Sequence, residues 1–164
     1  MKETKDRDAM VIYQDHVDRA SAATLAADYA AFSACISFPW RVRTVNLDLC
    51  IEDDEEHRRN FRQFVDVLKT DNVTGLHRLV KTAWFVTPDV IEGTHISHMM
   101  HNGTRLRAPY YNRIRLVRHP EHGWRETDCT NAVVNKAGNF AIVDTISTDA
   151  LPPELKELPE RKLK

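Results

Sequence analysis

HRLVKTAWFV (His77–Val86), TPDV and IEGTHISHMMH (Ile91–His101) read in succession as strand, turn and strand. YNRIRLVR (Tyr111–Arg118), HPEHG and WRETDCTNAVV (Trp124–Val134) repeat the pattern. Runs rich in Val, Ile, Thr, Trp and Tyr, broken by Pro, Gly, Asn and Asp, are the material of β-hairpins. The stretch from His77 to Val134 is therefore expected to form a curved antiparallel sheet of four long strands, one wall of any pocket the chain encloses. Val80, Trp84 and Val86 share one strand parity; Leu79, Ala83 and Phe85 share the other. Both faces then carry apolar residues, where a sheet with one wet face would alternate cleanly. Two apolar faces need two covers: helices for one and, for the other, a second copy of the chain in a sheet-to-sheet homodimer.

The helices lie upstream. Met10, Tyr13, Val17 and Ala20 recur at helical spacing within Ala9–Ala20, Asp8 is placed to cap the start, and residues 1–8 are charged and expected to fray. Leu25, Tyr29, Phe32 and Ile36 stripe a second helix over Ala22–Ile36, which Pro39 ends. RVRTVN and DLCI, between Arg41 and Ile51, read as short edge strands. Glu55–Lys69 is a third helix with Phe61, Phe64, Val65 and Leu68 inward and acidic residues in its first turn, where the helix dipole favours them. Helices first and sheet after imply one α+β domain over residues 1–134, with three helices on the concave face of the sheet. Residues 135–164 follow as an extension. Its tail, DALPPELKELPERKLK, holds three of the seven prolines and mostly charge, and is expected to be loosely ordered from about residue 150.

Composition narrows the partners. The chain has 164 residues, 42% apolar and 29% charged, with a net charge of −1, so no global basic field exists to hold nucleic acid or an anionic membrane. No apolar run approaches the ~18 residues of a spanning helix. MKETKDRD lacks the apolar core of a signal peptide, so a cytoplasmic location is expected. Cys35, Cys50 and Cys129 are odd in number and widely spaced, which suits free thiols better than a disulfide framework or a zinc site.

The order of elements resembles the nuclear transport factor 2-like superfamily, a cone-shaped α+β fold also called cystatin-like, and within it the SnoaL-like proteins. The resemblance rests on the second helix running into Cys35-Ile-Ser-Phe-Pro39, on Ile51-Glu-Asp-Asp-Glu-Glu56 leading into the third, on Asp89-Val-Ile-Glu-Gly93 opening a strand, and on Gly123-Trp-Arg125 opening the last long strand. It spans about Ala9 to Val134. The superfamily includes ketosteroid isomerase, scytalone dehydratase and polyketide cyclases beside domains with no known chemistry, so the resemblance implies a cone with an internal pocket and leaves the activity open.

Several residues are candidates for chemistry. His95, His98 and His101 look like a metal triad, but strand alternation sends His98 to the other face, and His95 and His101 lie roughly 20 Å apart along the strand, too far to share an ion. His98, between Ile96 and Met100, reads either as a general acid or base on an apolar wall or as a hydrogen-bonded core histidine. Asp128 sits mid-strand, where carboxylates are disfavoured, and shares its parity with Glu126. It reads either as a base in an apolar pocket or as the partner of Arg113 or Arg115 on the neighbouring strand. An acidic residue on this strand is similar to the base of some SnoaL-like cyclases. Tyr29, Trp40, Tyr111 and Trp84 are the candidate ligand contacts. Arg58, Arg59 and Arg62 follow an acidic run and read as a solvated face paired at i,i+4. Two functions remain in play. One is a cofactor-independent isomerase, dehydratase or cyclase acting on a small apolar, oxygenated molecule, with Asp128 and His98 catalytic. The other is a ligand-binding or dimerisation module without catalysis. No metal or cofactor is expected in either.

Overall fold

The computed structural model describes residues 1–161. Its first helix, α1, runs unbroken from Lys2 to Leu25. The charged start is helical rather than frayed, and the helix continues through Ser21, the residue between the two expected helices: its hydroxyl donates to the carbonyl of Val17 one turn back, a bond compatible with the helix. The break falls later, at Ala27, which adopts φ +53°. A short α2, Tyr29–Ser33, follows, capped by the Asp28 carboxylate on the amide of Ala31. The predicted second helix is thus divided between the end of α1 and α2, and Ile36 already belongs to strand β1 (Ile36–Arg43), which contains the cis Phe38–Pro39 bond. β2 (Asp48–Ile51) returns against β1 as the expected edge hairpin.

Helix α3 (Asp54–Thr70) begins where the acidic run predicts. The Asp53 carboxylate accepts from the amide of Glu56 at 2.8 Å, and the Glu56 carboxylate reaches back to the amide of Glu52 at 3.3 Å, a reciprocal cap. Arg58 and Arg59 pair with Asp54 and Glu55 on the solvated face, while Phe61, Val65 and Leu68 are buried. Four long strands follow: β3 (Gly75–Thr87), β4 (Val90–His101), β6 (Tyr110–His119) and β7 (Gly123–Asn131), with the two-residue β5 (Thr104–Arg105) beside β4. The sheet order is β2-β1-β7-β6-β4-β3. All pairs are antiparallel except β1 with β7, which is parallel because β1 enters from the helical layer, not from a hairpin.

Two bulges decide which side chains face inward. Val80 pairs with His95 but Thr82 with Thr94, so Lys81 is an extra residue in β3. Arg115 pairs with Asp128 but Leu116 with Glu126, so Thr127 is extra in β7. An extra residue reverses the parity beyond it. In β3 the inner set is therefore Leu76, Val80, Ala83 and Phe85, drawn from both sequence parities, while Leu79 and Val86 are exposed. The inner face is the apolar one, and the twin apolar faces read from parity reduce to a few outer residues.

Ala9, Tyr13 and Val17 of α1 pack on Ala83, Ile91, Ile114 and Leu116 to form the main core, each large side chain contributing about 1.5–3 kcal/mol by burial. Tyr13 lies so close to β4 that a Cβ on Gly93 would meet its ring, and the carbonyl of Thr82, at 2.6 Å.

Residues 133–161 do not hang free, as the composition of the tail suggests. β8 (Val133–Asn135) pairs with β9 (Ile142–Thr145), and beyond a short α4 (Pro153–Lys156) the chain lies on the outer face of the sheet. Leu151, Leu155 and Leu158 are buried there, near Ala132 and Tyr111. Arg43 donates to the carbonyls of Glu154 and Glu157, and Arg113 to that of Lys156. Prolines remove backbone donors, and arginines rising from the sheet serve the acceptors that remain. Residues 162–164 of the tail lie outside the described residues. Among the described residues no helix is long and apolar enough to cross a membrane.

The close approach at Gly93 has a measurable cost. Gly93→Ala is expected to lower stability by about 1–3 kcal/mol in urea denaturation through overpacking against Tyr13, and Gly93→Ala combined with Tyr13→Leu is expected to lose less than the sum of the two single changes.

Candidate functional site

Between the helices and the inner face of the sheet lies a cavity of about 150 Å³. Its walls are mostly apolar, with Phe32, Trp40, Phe61 and Ile114 among them; beside neutral polar groups such as Asn60, Tyr110, Asn131 and Asn135, the carboxylate of Glu126, the imidazoles of His57 and His95 and the guanidinium of Arg78 line it. Each is placed by a different element. Glu126 comes from β7 just before the Thr127 bulge, His57 from the second turn of α3, His95 from the middle of β4 and Arg78 from β3.

Glu126 is 6% exposed, and two N–H groups converge on its carboxylate. His16 of α1 reaches Oε2 through Nε2 at 2.7 Å, and the indole of Trp40 donates to Oε1 at 3.1 Å. His16 is wholly buried behind the carboxylate, and its Nδ1 has no partner among the described residues.

His57 is enclosed by the rings of Tyr29, Phe32, Phe38 and Trp40, with centroids 5.2–5.4 Å away. Burial pushes its pKa down to about 4, against smaller opposing effects of Asp54 and Glu126, so the ring is neutral near pH 7. The Tyr29 hydroxyl donates to Asp54 Oδ1 at 2.6 Å, which leaves its oxygen to accept from His57 Nδ1 at 3.2 Å. The proton of His57 is thereby placed on Nδ1 and the lone pair on the buried Nε2. His95 is held well below the usual histidine range by burial, with Arg78 and His16 adding to the effect. Its Nδ1 lies 2.6 Å from the hydroxyl of Tyr13, whose own pKa burial raises well above 10. Cys129 also faces the cavity. Burial raises its thiol strongly and it donates to Asn131, so it is a packed, unreactive group.

The residues singled out in the sequence distribute unevenly. Trp40 lines the cavity. Tyr29 stands one layer back, touching His57 without lining the space. Asp128, His98, Tyr111 and Trp84 lie on the outer face. The Thr127 bulge is the reason for Asp128: it turns Glu126 inward and Asp128 out. There the Asp128 carboxylate accepts from Arg115 at 3.2 Å, from Thr127 at 2.7 Å and from Arg161 at 3.1 Å, so the ion-pair reading holds and the base reading does not. His98 pairs with His77 across β3 and β4, opposite in facing to cavity-lining His95. Tyr111 packs near the tail, and Trp84 lies under the guanidinium of Arg113. Asp128 and His98 do not meet: β6 lies between their strands, and Asp128 is level with Glu92, half the length of β4 away from His98. Reading from sequence missed Glu126 as the inward carboxylate, and missed His16 and His57 altogether. Helical spacing held the signal for both histidines: His16 follows Tyr13 by three, and His57 precedes Phe61 by four.

A curled sheet with helices in its concave face and one internal cavity is the nuclear transport factor 2-like, or cystatin-like, fold, and the chain has that fold. Among solved structures it is similar to an NTF2-like protein with a cystatin-like fold from Novosphingobium aromaticivorans (18% identity, 82% of this chain and 86% of that one, TM-score 0.55). It is also similar to a domain of unknown function with a cystatin-like fold from Nostoc punctiforme (13% identity, 79% and 80%, TM-score 0.59) and to a ketosteroid isomerase-like protein from Erwinia carotovora atroseptica (10% identity, 77% and 97%, TM-score 0.53). At these identities the likeness is one of fold. No family model and no curated protein matches the sequence.

Two outcomes follow from these placements. Asp128→Ala is expected to cost roughly 1–3 kcal/mol in denaturant unfolding, because Arg115 keeps Glu92 while it and the Thr127 hydroxyl lose a buried acceptor, and ligands of the cavity bind as before. His57 titrates near 6.5 when unfolded and near 4 when folded. Between those values the unfolded chain binds more protons, so stability is full above about pH 6.5 and falls as pH drops toward 4, by roughly 3 kcal/mol from this group. Urea midpoints from about pH 7 to 4.5 should fall less steeply for His57→Phe than for the wild type.

Proposed function

We propose that the chain binds a small, mainly apolar, oxygen-bearing molecule inside the cone and moves a proton on it through Glu126, without a cofactor. The observation that carries this reading is the Glu126 carboxylate: an acidic side chain facing a largely apolar cavity, steadied by N–H donors on both oxygens. A carboxylate so placed is suited to take a proton from carbon beside a carbonyl and return it elsewhere, the elementary step of isomerisation, dehydration and aldol-type cyclisation. His16 would hold the carboxylate in position. The SnoaL-like resemblance supports the same reaction class. The cavity is comparable in volume with an engineered protein cavity that accepts benzene, which points to a ligand built around one ring.

A second reading has its own support. Both Glu126 oxygens already accept hydrogen bonds, an arrangement that would equally hold a cavity open for a ligand without reacting. If two copies pair through the sheet, they would use the β3–β4 end of the outer face, where Leu79 and Val86 are exposed, since the tail covers the other end.

Exchange of α-hydrogens for deuterium in cyclic ketones, followed by NMR in D2O, separates the two readings. Catalysed exchange that drops about 10²–10⁴-fold in Glu126→Gln, with ketone affinity kept within about threefold, is the expected result. Ketone binding without exchange would leave only the binding module.

A further inference from the structure

We propose that the ligand of this cavity is a small organic monocarboxylate, its charged end seated on Arg78. The proposal rests on the reading of the cavity as a ligand site and adds the charge and class of the ligand.

Arg78 lies on the inner face of β3, opposite Ser97, and lines the cavity. Its backbone is fixed: the carbonyl accepts from the Gln14 amide on α1 at 2.7 Å, and the neighbouring Val80 amide donates back to Gln14 at 2.9 Å. Among the described residues its side chain makes one hydrogen bond, Nη1 to the Ser21 hydroxyl at 3.3 Å. Ser21 in turn donates its own proton to the carbonyl of Val17, so its oxygen is free to accept. Arg113, Arg115 and Arg118 on β6 each have a carboxylate within 3.4 Å. Arg78 forms no ion pair among the described residues, although an arginine fork presents five donors.

The groups around the guanidinium do not neutralise it. Tyr13, Tyr110, Cys129 and His95 all feel its positive charge, and burial keeps the phenols and the thiol protonated and the imidazole uncharged. Glu126 lies at the opposite corner of the sheet, on β7, three strands away and paired with His16. One end of the cavity is thus cationic and the other anionic.

His95 supplies a second donor at the cationic end. Among the described residues the hydroxyl of Tyr13 has one partner, Nδ1 of His95, so it donates there and leaves the imidazole proton on Nε2. His95 is a diagonal neighbour of Arg78 across β3 and β4, close enough for a long side chain to share one ligand group with it. A carboxylate matches this pair: planar, singly charged, able to take two parallel N–H bonds from guanidinium and a third from an imidazole. The apolar wall beyond it, including Phe64, Ile114 and Val133, suits a ring or a short branched chain.

Benzoate and its neutral isostere benzamide, titrated against the full chain by calorimetry near pH 7, test the proposal. The wild type is expected to bind benzoate at least about tenfold more tightly than benzamide, and Arg78→Gln to bind the two alike. Arg78→Lys, which keeps the charge but loses the fork, should retain part of the preference, and it serves as the readout if Arg78→Gln fails to fold. Equal affinity for the two probes in the wild type would overturn the anion proposal and leave the cavity reading standing. A preference that survives unchanged in both variants would remove Arg78 from it. Failure of both probes to bind would overturn the proposal together with the reading on which it rests.

Discussion

Between Arg115 and Leu116 the neighbouring strand advances two residues, from Asp128 to Glu126, and Thr127 is left over. Much of the internal chemistry hangs on that surplus residue. Without it the two carboxylates would share a face, and one of them would lack either its arginines or its histidine. With it, each finds partners of the right kind: Glu126 the N–H groups of His16 and Trp40 within, Asp128 the guanidinium groups of Arg115 and Arg161 without. A local irregularity in the ladder thus sorts charge between two environments, and removing the partners of either carboxylate would leave a buried anion uncompensated.

The two faces of the sheet follow different electrostatic rules. The outer face is a lattice of full charges, Glu92 with Arg113 and Arg115, Asp128 with Arg115 and Arg161, roofed by backbone carbonyls of the tail. Inside, apart from Arg78 and Glu126 at the two ends of the cavity, burial favours neutrality: His95 and Cys129 on the sheet and Tyr13 and His57 on the helices facing it are all driven toward their uncharged forms. The ionic outer layer links β4, β6 and β7 from behind, opposite the face that lines the cavity.

The fold was largely legible in the sequence because it rests on long, repetitive signals. The four strands, the edge hairpin and α3 fall within a few residues of where periodicity and turn residues put them. The candidate site was less legible, for a local reason. Parity counting assumes an unbroken alternation, and the extra residues Lys81 and Thr127 break it where inside and outside are decided. Nothing in ETDCTN marks Thr127 as a bulge. His57 and His16 were hidden differently: each sits on a helical stripe whose other members are apolar or aromatic, so it passes for packing. The tail was misread because its composition counts prolines and charges but not the arginines of the sheet that receive it.

Trp40 joins the cavity wall to the carboxylate at its acidic end through one indole N–H. Emission from an indole depends on the polarity and hydrogen bonding of its surroundings. The protein therefore carries its own optical reporter at that spot. Trp84, on the outer face, and Trp124, beside Phe85 and two residues from Glu126 on β7, supply the background. A molecule entering the cone, or a proton arriving on Glu126, would register as a change in the light from this one side chain, with no label attached.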